Sequence, residues 1–185
     1  GFFPSLLVEC NGLAEVARIQ KAMNSRLRSL GLSEGSVAGR MQQLAKDPTY
    51  LYPDSDAGRA ALLAKVDDTV TDMQRRLPAY FGQLPDQPVK VERMPRDQET
   101  GGAIGVYWGP PVGGESPGLF ILNMRSMAEL PWFSLPTLVY HETVPGHHLQ
   151  IALSRERTER PLLWRVATHG AFSEGWALYA ERLAA

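Results

Sequence analysis

The chain has 185 residues, a formal net charge of −1 and 44% hydrophobic residues, enough apolar matter for a substantial core and too much for global disorder. Mixed charge argues against nucleic acid or an anionic membrane as the main partner, and no apolar run approaches the ~18 residues of a membrane span. A single cysteine, Cys10, excludes an internal disulfide framework and a cysteine-built zinc site.

The opening GFFPSLLVEC is too short, and lacks the basic flank, for a signal peptide. The chain starts without Met, and SEGWALYAERLAA runs helical to the last residue without a capping Gly or Pro. Both ends read as cuts in a longer protein.

Residues 11–82 read as helices. Val16, Ile19, Met23, Leu27 and Leu30 recur at helical spacing, on one face. GLSEG (31–35) breaks that helix, and 36–46 form a short second one. After the turn-rich DPTYLYPDSD, Leu62, Leu63, Val66, Val70, Met73 and Leu77 mark a long amphipathic helix, with Asp54 or Ser55 as its cap. Packing accounts for this half, which carries no chemistry. In residues 84–95, Val89 and Val91 alternate with Lys90 and Glu92, as in a strand. The segment 101–118 holds seven Gly and three Pro; AIGVYW (103–108) is a strand within it and LFILN (119–123) another. The glycines lack the Gly-Lys-Ser/Thr ending or the G-x-G-x-x-G helix opening of a phosphate loop, so they serve loops and strand edges. A helix restarts at Ser134, a candidate cap, with Pro136 in its first turn, and the charged run 154–161 ends it. A last helix starts near Gly170. The expected fold is mainly α with a small β-sheet: a helical segment 1–83, then sheet plus active-site helices over 84–185, in one continuous domain truncated at both ends.

All four histidines lie within residues 141–169. HETVPGHHLQ opens like the HExxH zinc motif, in which two His one turn apart bind the metal and the Glu is general base. His141 and Glu142 fit, but Pro145 stands where the second His belongs. On an unbroken helix His148 lies ~10 Å along the axis, too far to share a metal whose ligands each sit ~2 Å away. Pro145 and Gly146 supply an irregular turn through which a late histidine can swing back. The alternative is a kinked surface helix with solvated histidines. In FSEGWALYAE, Glu174 and Glu181 share a face amid small and apolar residues, where a carboxylate wants a partner. Two His plus a Glu from a later helix make the three-ligand set of a catalytic zinc. A salt bridge or a helix-start carboxylate is the other reading of Glu174.

HETVPGHHLQ followed by SEGWALYAE resembles a bacterial family catalogued as domain of unknown function 885, whose members look like zinc-dependent peptidases. LPAYFGQLP, the Gly-rich strands and SPGLFILN follow the family's order, so the resemblance covers about residues 45–185. Family members are around three times this length. More distantly, SEGWALYAE is similar to the N-E-G-F-A-x-Y-x-E stretch of gluzincin aminopeptidases. That likeness implies Glu174 as the third zinc ligand and Glu181 as the carboxylate orienting a ligand His. The family's PGH favours His147 as second ligand; His148 stays open, as the alternative ligand, a substrate contact or a covering residue. The implied activity is a zinc peptidase, one Zn²⁺ per chain, with Glu142 as general base and a peptide or small amide as substrate. Tyr107 and His169 are candidate oxyanion donors, Asn123 a candidate substrate contact, and LFILN a candidate sheet edge for an extended peptide. The rivals are hydrolysis of non-peptide amides or esters, and a non-catalytic helical binding module braced by a metal; the latter has no use for Glu142.

Overall fold

The computed structural model describes residues 3–113 and 115–184; the uncapped end read at Ala185 lies outside them. Residue contacts divide the chain into two units, Gly1–Thr49 and Tyr50–Ala185. The boundary falls before the long amphipathic helix, whereas the sequence reading put its division after it. That helix shares its core with the sheet, which explains the difference.

The first unit pairs α1 (Phe3–Ser29) with α2 (Val37–Ala45). Gly31, at φ +81°, ends the first helix by wrapping the chain back, with the Leu32 N–H on the Leu27 carbonyl at 2.9 Å. Ser36 caps the second by accepting the Gly39 N–H. Buried Arg40 ties the two together through Asn24 Oδ1 at 2.7 Å and the Leu32 carbonyl at 3.0 Å. The apolar row read on α1 is buried only at Leu27; Val16, Ile19 and Leu30 are exposed. Nine residues of α2 span ~13 Å, too short to cover more than the last turns of its partner.

In the second unit α3 (Asp56–Arg76) starts from Ser55, whose hydroxyl accepts the Gly58 N–H at 3.1 Å. Its stripe Leu62, Val66, Val70, Met73 is buried and continues into Leu77. These side chains pack with Val89, Phe120, Leu122, Leu135, Val139 and Leu149 in one core. The sheet comprises β1 (Val89–Arg93), β2 (Gly105–Trp108) and β3 (Gly118–Leu122). Its order is β1-β3-β2, with β1 parallel and β2 antiparallel to β3. The expectation that LFILN forms the sheet edge is therefore corrected: β3 is central, paired on both sides. Its near-continuous burial agrees, since a strand flanked on both sides has little exposed surface.

Four further helices follow: α4 (Leu135–Glu142), α5 (His147–Glu156), α6 (Leu162–Val166) and α7 (Gly170–Ala184). Ser134 does not cap α4 with its side chain; its backbone is already helical and its hydroxyl donates to the Pro131 carbonyl at 2.8 Å. Ser173, Ala177 and Ala180 form the buried stripe of α7, and these small side chains let it lie close to α4 and α5. The observed class is mainly helical with a small sheet, α+β.

Candidate metal and catalytic site

The segment HETVPGHHLQ forms two helices. α4 stops at Glu142, Thr143 and Gly146 take non-helical angles, the Val144–Pro145 peptide is cis, and α5 begins at His147. Three bonds hold the break. The Thr143 hydroxyl donates to the Val139 carbonyl at 2.6 Å, the His148 N–H to the Thr143 carbonyl at 3.0 Å, and Trp176 Nε1 to the Pro145 carbonyl at 2.9 Å. The turn absorbs the two extra residues and brings His147 beside His141, their ring centroids 4.7 Å apart and edge to face.

Helix α7 completes the cluster. Glu174 Oε2 lies 3.3 Å from His141 Nε2, and its Oε1 lies 3.7 Å from His147 Nε2. One ligand atom from each of the three falls within 4.8 Å of the others. Two ligands on one tetrahedral zinc sit roughly 3.3 Å apart, so the His–Glu spacings already suit a shared ion. The Glu174 side chain is 61% exposed, leaving the cluster open on that side. Glu181, two turns along α7, reaches the other ring nitrogen of His141 at 2.7 Å and so fixes which nitrogen faces the cluster. Ser173 stands in the same relation to His147, Oγ to Nδ1 at 3.4 Å. The sequence reading passed over Ser173; its signal was adjacency to Glu174 on a helix whose other inward residues are alanine.

Glu142 lies beside the cluster. Burial pushes its carboxyl up to about 7, with the Glu174 charge adding to the rise; His141 and a hydrogen bond from the Tyr107 backbone oppose it. Burial, followed by the nearby His141, pushes His147 down, so it presents a neutral ring suited to metal ligation.

The remaining candidates fall elsewhere. The Tyr107 hydroxyl is spent on His148 Nδ1 at 2.8 Å, and His148 Nε2 meets the Gln87 carbonyl at 3.0 Å. Asn123 uses both ends of its amide on backbone, the Thr100 carbonyl and the Arg125 N–H, and braces a loop. His169 is exposed; its carbonyl accepts from Phe172 and Ser173 at the start of α7, and its side chain lines an open aromatic cavity of about 510 Å³ with Trp164, Phe172 and Trp176. The cluster thus unites His141, Glu142, His147, Glu174 and Glu181.

His148 is 1% exposed, and burial pushes its pKa down to about 4. A histidine depressed in the fold contributes stability above its ordinary value of 6.5, and that stability is lost as pH falls towards 4. Chelator-treated protein is expected to lose roughly 2–3 kcal/mol over that window. Urea midpoints at pH 7 and 4.5, compared with those of His148→Asn, measure it; equal slopes for the two proteins would refute the assignment.

A family model described as bacterial protein of unknown function (DUF885) matches residues 8–185. A crystal structure of a presumed lipoprotein from Colwellia psychrerythraea superposes with a TM-score of 0.90 at 42% sequence identity. The match covers 94% of this chain and 30% of that one, so the chain spans about a third of that relative's length. No functionally curated protein matches the chain.

Proposed function

For this chain, which belongs to the DUF885 family of bacterial proteins of unknown function, we propose a metal-dependent hydrolase acting on a peptide or another amide. The observation that carries the reading is the ligand-like grouping of His141, His147 and Glu174, from three helices, with Glu142 beside it. Two imidazoles and one carboxylate with an open side are the donor set of a catalytic zinc, whereas a structural zinc site is closed. A bound zinc supplies Lewis-acid polarisation of a carbonyl and lowers the pKa of water to roughly 7.

The residues of the chain do the rest. His141 and His147 offer Nε2, and Glu181 and Ser173 hold the rings by their other nitrogens. Glu142 accepts the proton of the attacking water and returns it to the leaving amine; a carboxyl raised by burial suits both halves of that task. The free strand edge beside Glu142 belongs to β2, whose outer side has no strand partner among the described residues. An extended peptide has there an edge against which to lie.

Zinc content tests the reading. After loading and dialysis, elemental analysis is expected to give about one zinc per chain in the parent and His148→Ala, and less than about a tenth in His141→Ala, His147→Ala and Glu174→Ala. A parent that retains no metal would sink the proposal.

A further inference from the structure

The aromatic cavity beside His169 takes no part in the cluster, although α7 helps to build both. Phe172 and Trp176 stand four apart on one face of that helix, and Glu174 lies ~200° around from Phe172, on the opposite face. The cavity therefore opens on the side of α7 turned away from the ligands, between α5, α6 and α7. Its volume of about 510 Å³ falls in the range that holds small organic ligands. Leu149, 2% exposed, closes its inner end, and Trp164 and Phe172, 68% and 63% exposed, stand at its mouth. Trp176 is the fixed wall between them, its ring edge-on to Phe81 at 6.4 Å and its Nε1 on the Pro145 carbonyl at 2.9 Å.

The charged part of the lining has one sign. Arg157 and Arg160 border the cavity, and no carboxylate does. Arg157 is partly engaged: it donates to Gln83 Oε1 at 3.1 Å and has Glu159 at 3.7 Å. The exposed Arg160 guanidinium has no hydrogen bond or ion pair among the described residues. A guanidinium offers paired N–H donors that match the two oxygens of a carboxylate. Gln150 adds a neutral polar group. Its Oε1 is enclosed and accepts from no described residue, so no bond holds the amide in that orientation, and a half-turn offers either end to an occupant.

We propose that this cavity binds the C-terminal residue of a short free peptide when that residue is large and apolar. The side chain lies among Trp164, Phe172 and Trp176, the carboxylate meets Arg160 and Arg157, and the last amide meets Gln150. A terminal residue joins an apolar body, a carboxylate and an amide within a few bonds, the three chemistries that this lining sets side by side. The proposal does not rest on the hydrolase reading, because cavity and cluster lie on opposite sides of α7.

Two of the four tryptophans line the cavity, so their indole N–H resonances report on it. N-acetyl-L-phenylalanine, titrated into ¹⁵N-labelled, chelated protein, is expected to shift the Trp164 and Trp176 resonances with a Kd of about 1 mM or below and to leave those of Trp108 and Trp132 in place. N-acetyl-L-phenylalaninamide, which lacks the carboxylate, and N-acetylglycine, which lacks the ring, should each bind at least about tenfold more weakly. Arg160→Gln should weaken binding of the acid about fivefold and leave that of the amide unchanged, and Phe172→Ala should weaken both about fivefold. Both side chains are exposed, so urea midpoints of the two variants should match the parent. Zinc loading should leave the Kd of the acid unchanged. Affinity that appears only with zinc overturns the proposal, since the cluster would then be holding the carboxylate. Equal affinity for acid and amide overturns it as well, since the arginines would have no part. No saturable shift up to about 10 mM overturns it too, and gives the aromatic wall to further polypeptide, such as the Colwellia relative carries outside the match. A parent without zinc or turnover refutes the hydrolase reading alone, and these titrations still decide the cavity.

Discussion

Gly146→Ala is expected to destabilise the protein by about 3 kcal/mol and to weaken zinc binding by at least roughly tenfold. A Cβ at this position would lie 2.0 Å from the His141 carbonyl oxygen and 2.3 Å from that of Tyr140. Both obstacles are backbone, so no side-chain rotation can relieve the contact. The main chain of the ligand-bearing helix must shift, and it carries His141 with it. The His141–Glu174 approach of 3.3 Å has little slack against the roughly 3.3 Å that two ligands of one ion require. Gly175→Ala is the control. That glycine lies within α7, next to Glu174, and an added Cβ meets nothing within 4 Å. It should be neutral or gain up to about 1 kcal/mol from helix propensity. Denaturant midpoints and zinc titration of both variants check the contrast. Parental values for Gly146→Ala would mean that the break between the helices is loose, and that the geometry of the cluster does not depend on it.

The contrast between those two glycines shows where the sequence is informative. The break itself was legible, since Pro145 and Gly146 stand inside an otherwise helical pattern between histidines that no regular helix can bring together. The long stripe from Leu62 to Leu77 was legible for the same reason: periodicity reports burial directly when a helix lies on a sheet. The row on α1 had the same periodicity but is largely exposed, because a pattern names a face and not what covers it. Strand order was not legible. β3 is apolar at nearly every position, which reads as a strand anywhere in a sheet, and its central place comes from a parallel pairing with β1 across an intervening hairpin strand. α6, only five residues long, lies below the length at which periodicity speaks. At the site, Glu174 and Glu181 stand seven apart, a spacing that a helix makes meaningful, whereas His147 rather than His148 as second ligand follows from the resemblance. Ser173 and the Gln87 carbonyl follow from neither, because their roles depend on a rotamer and on a loop path. Tyr107, a candidate oxyanion donor from sequence, has its hydroxyl committed to His148, a pairing across 41 residues that no local pattern reports.

Glu142→Gln is expected to leave zinc content at the parental level and to lower kcat by roughly 10²–10⁴-fold, the usual worth of a positioned general base. Gln is nearly isosteric, so it removes proton transfer while keeping the shape of the side chain. A metal that merely braced helices would leave the variant's turnover no different from the parent's, and that result would defeat the hydrolase reading. The pH behaviour supplies a second, independent test. Burial lifts the Glu142 carboxyl to about 7 from an ordinary 4.5, and a bound cation would draw it back down by favouring the carboxylate. The acid limb of kcat/KM in zinc-loaded parent should therefore fall between those two values. In chelated protein the same shift acts on stability. A carboxyl whose pKa is raised by folding binds its proton more tightly in the native state, so stability declines as pH rises from about 4.5 to about 7. Gln carries no such cost, and the chelated variant should be the more stable of the two above pH 7. Zinc should narrow that advantage, since the ion favours the carboxylate that burial opposes.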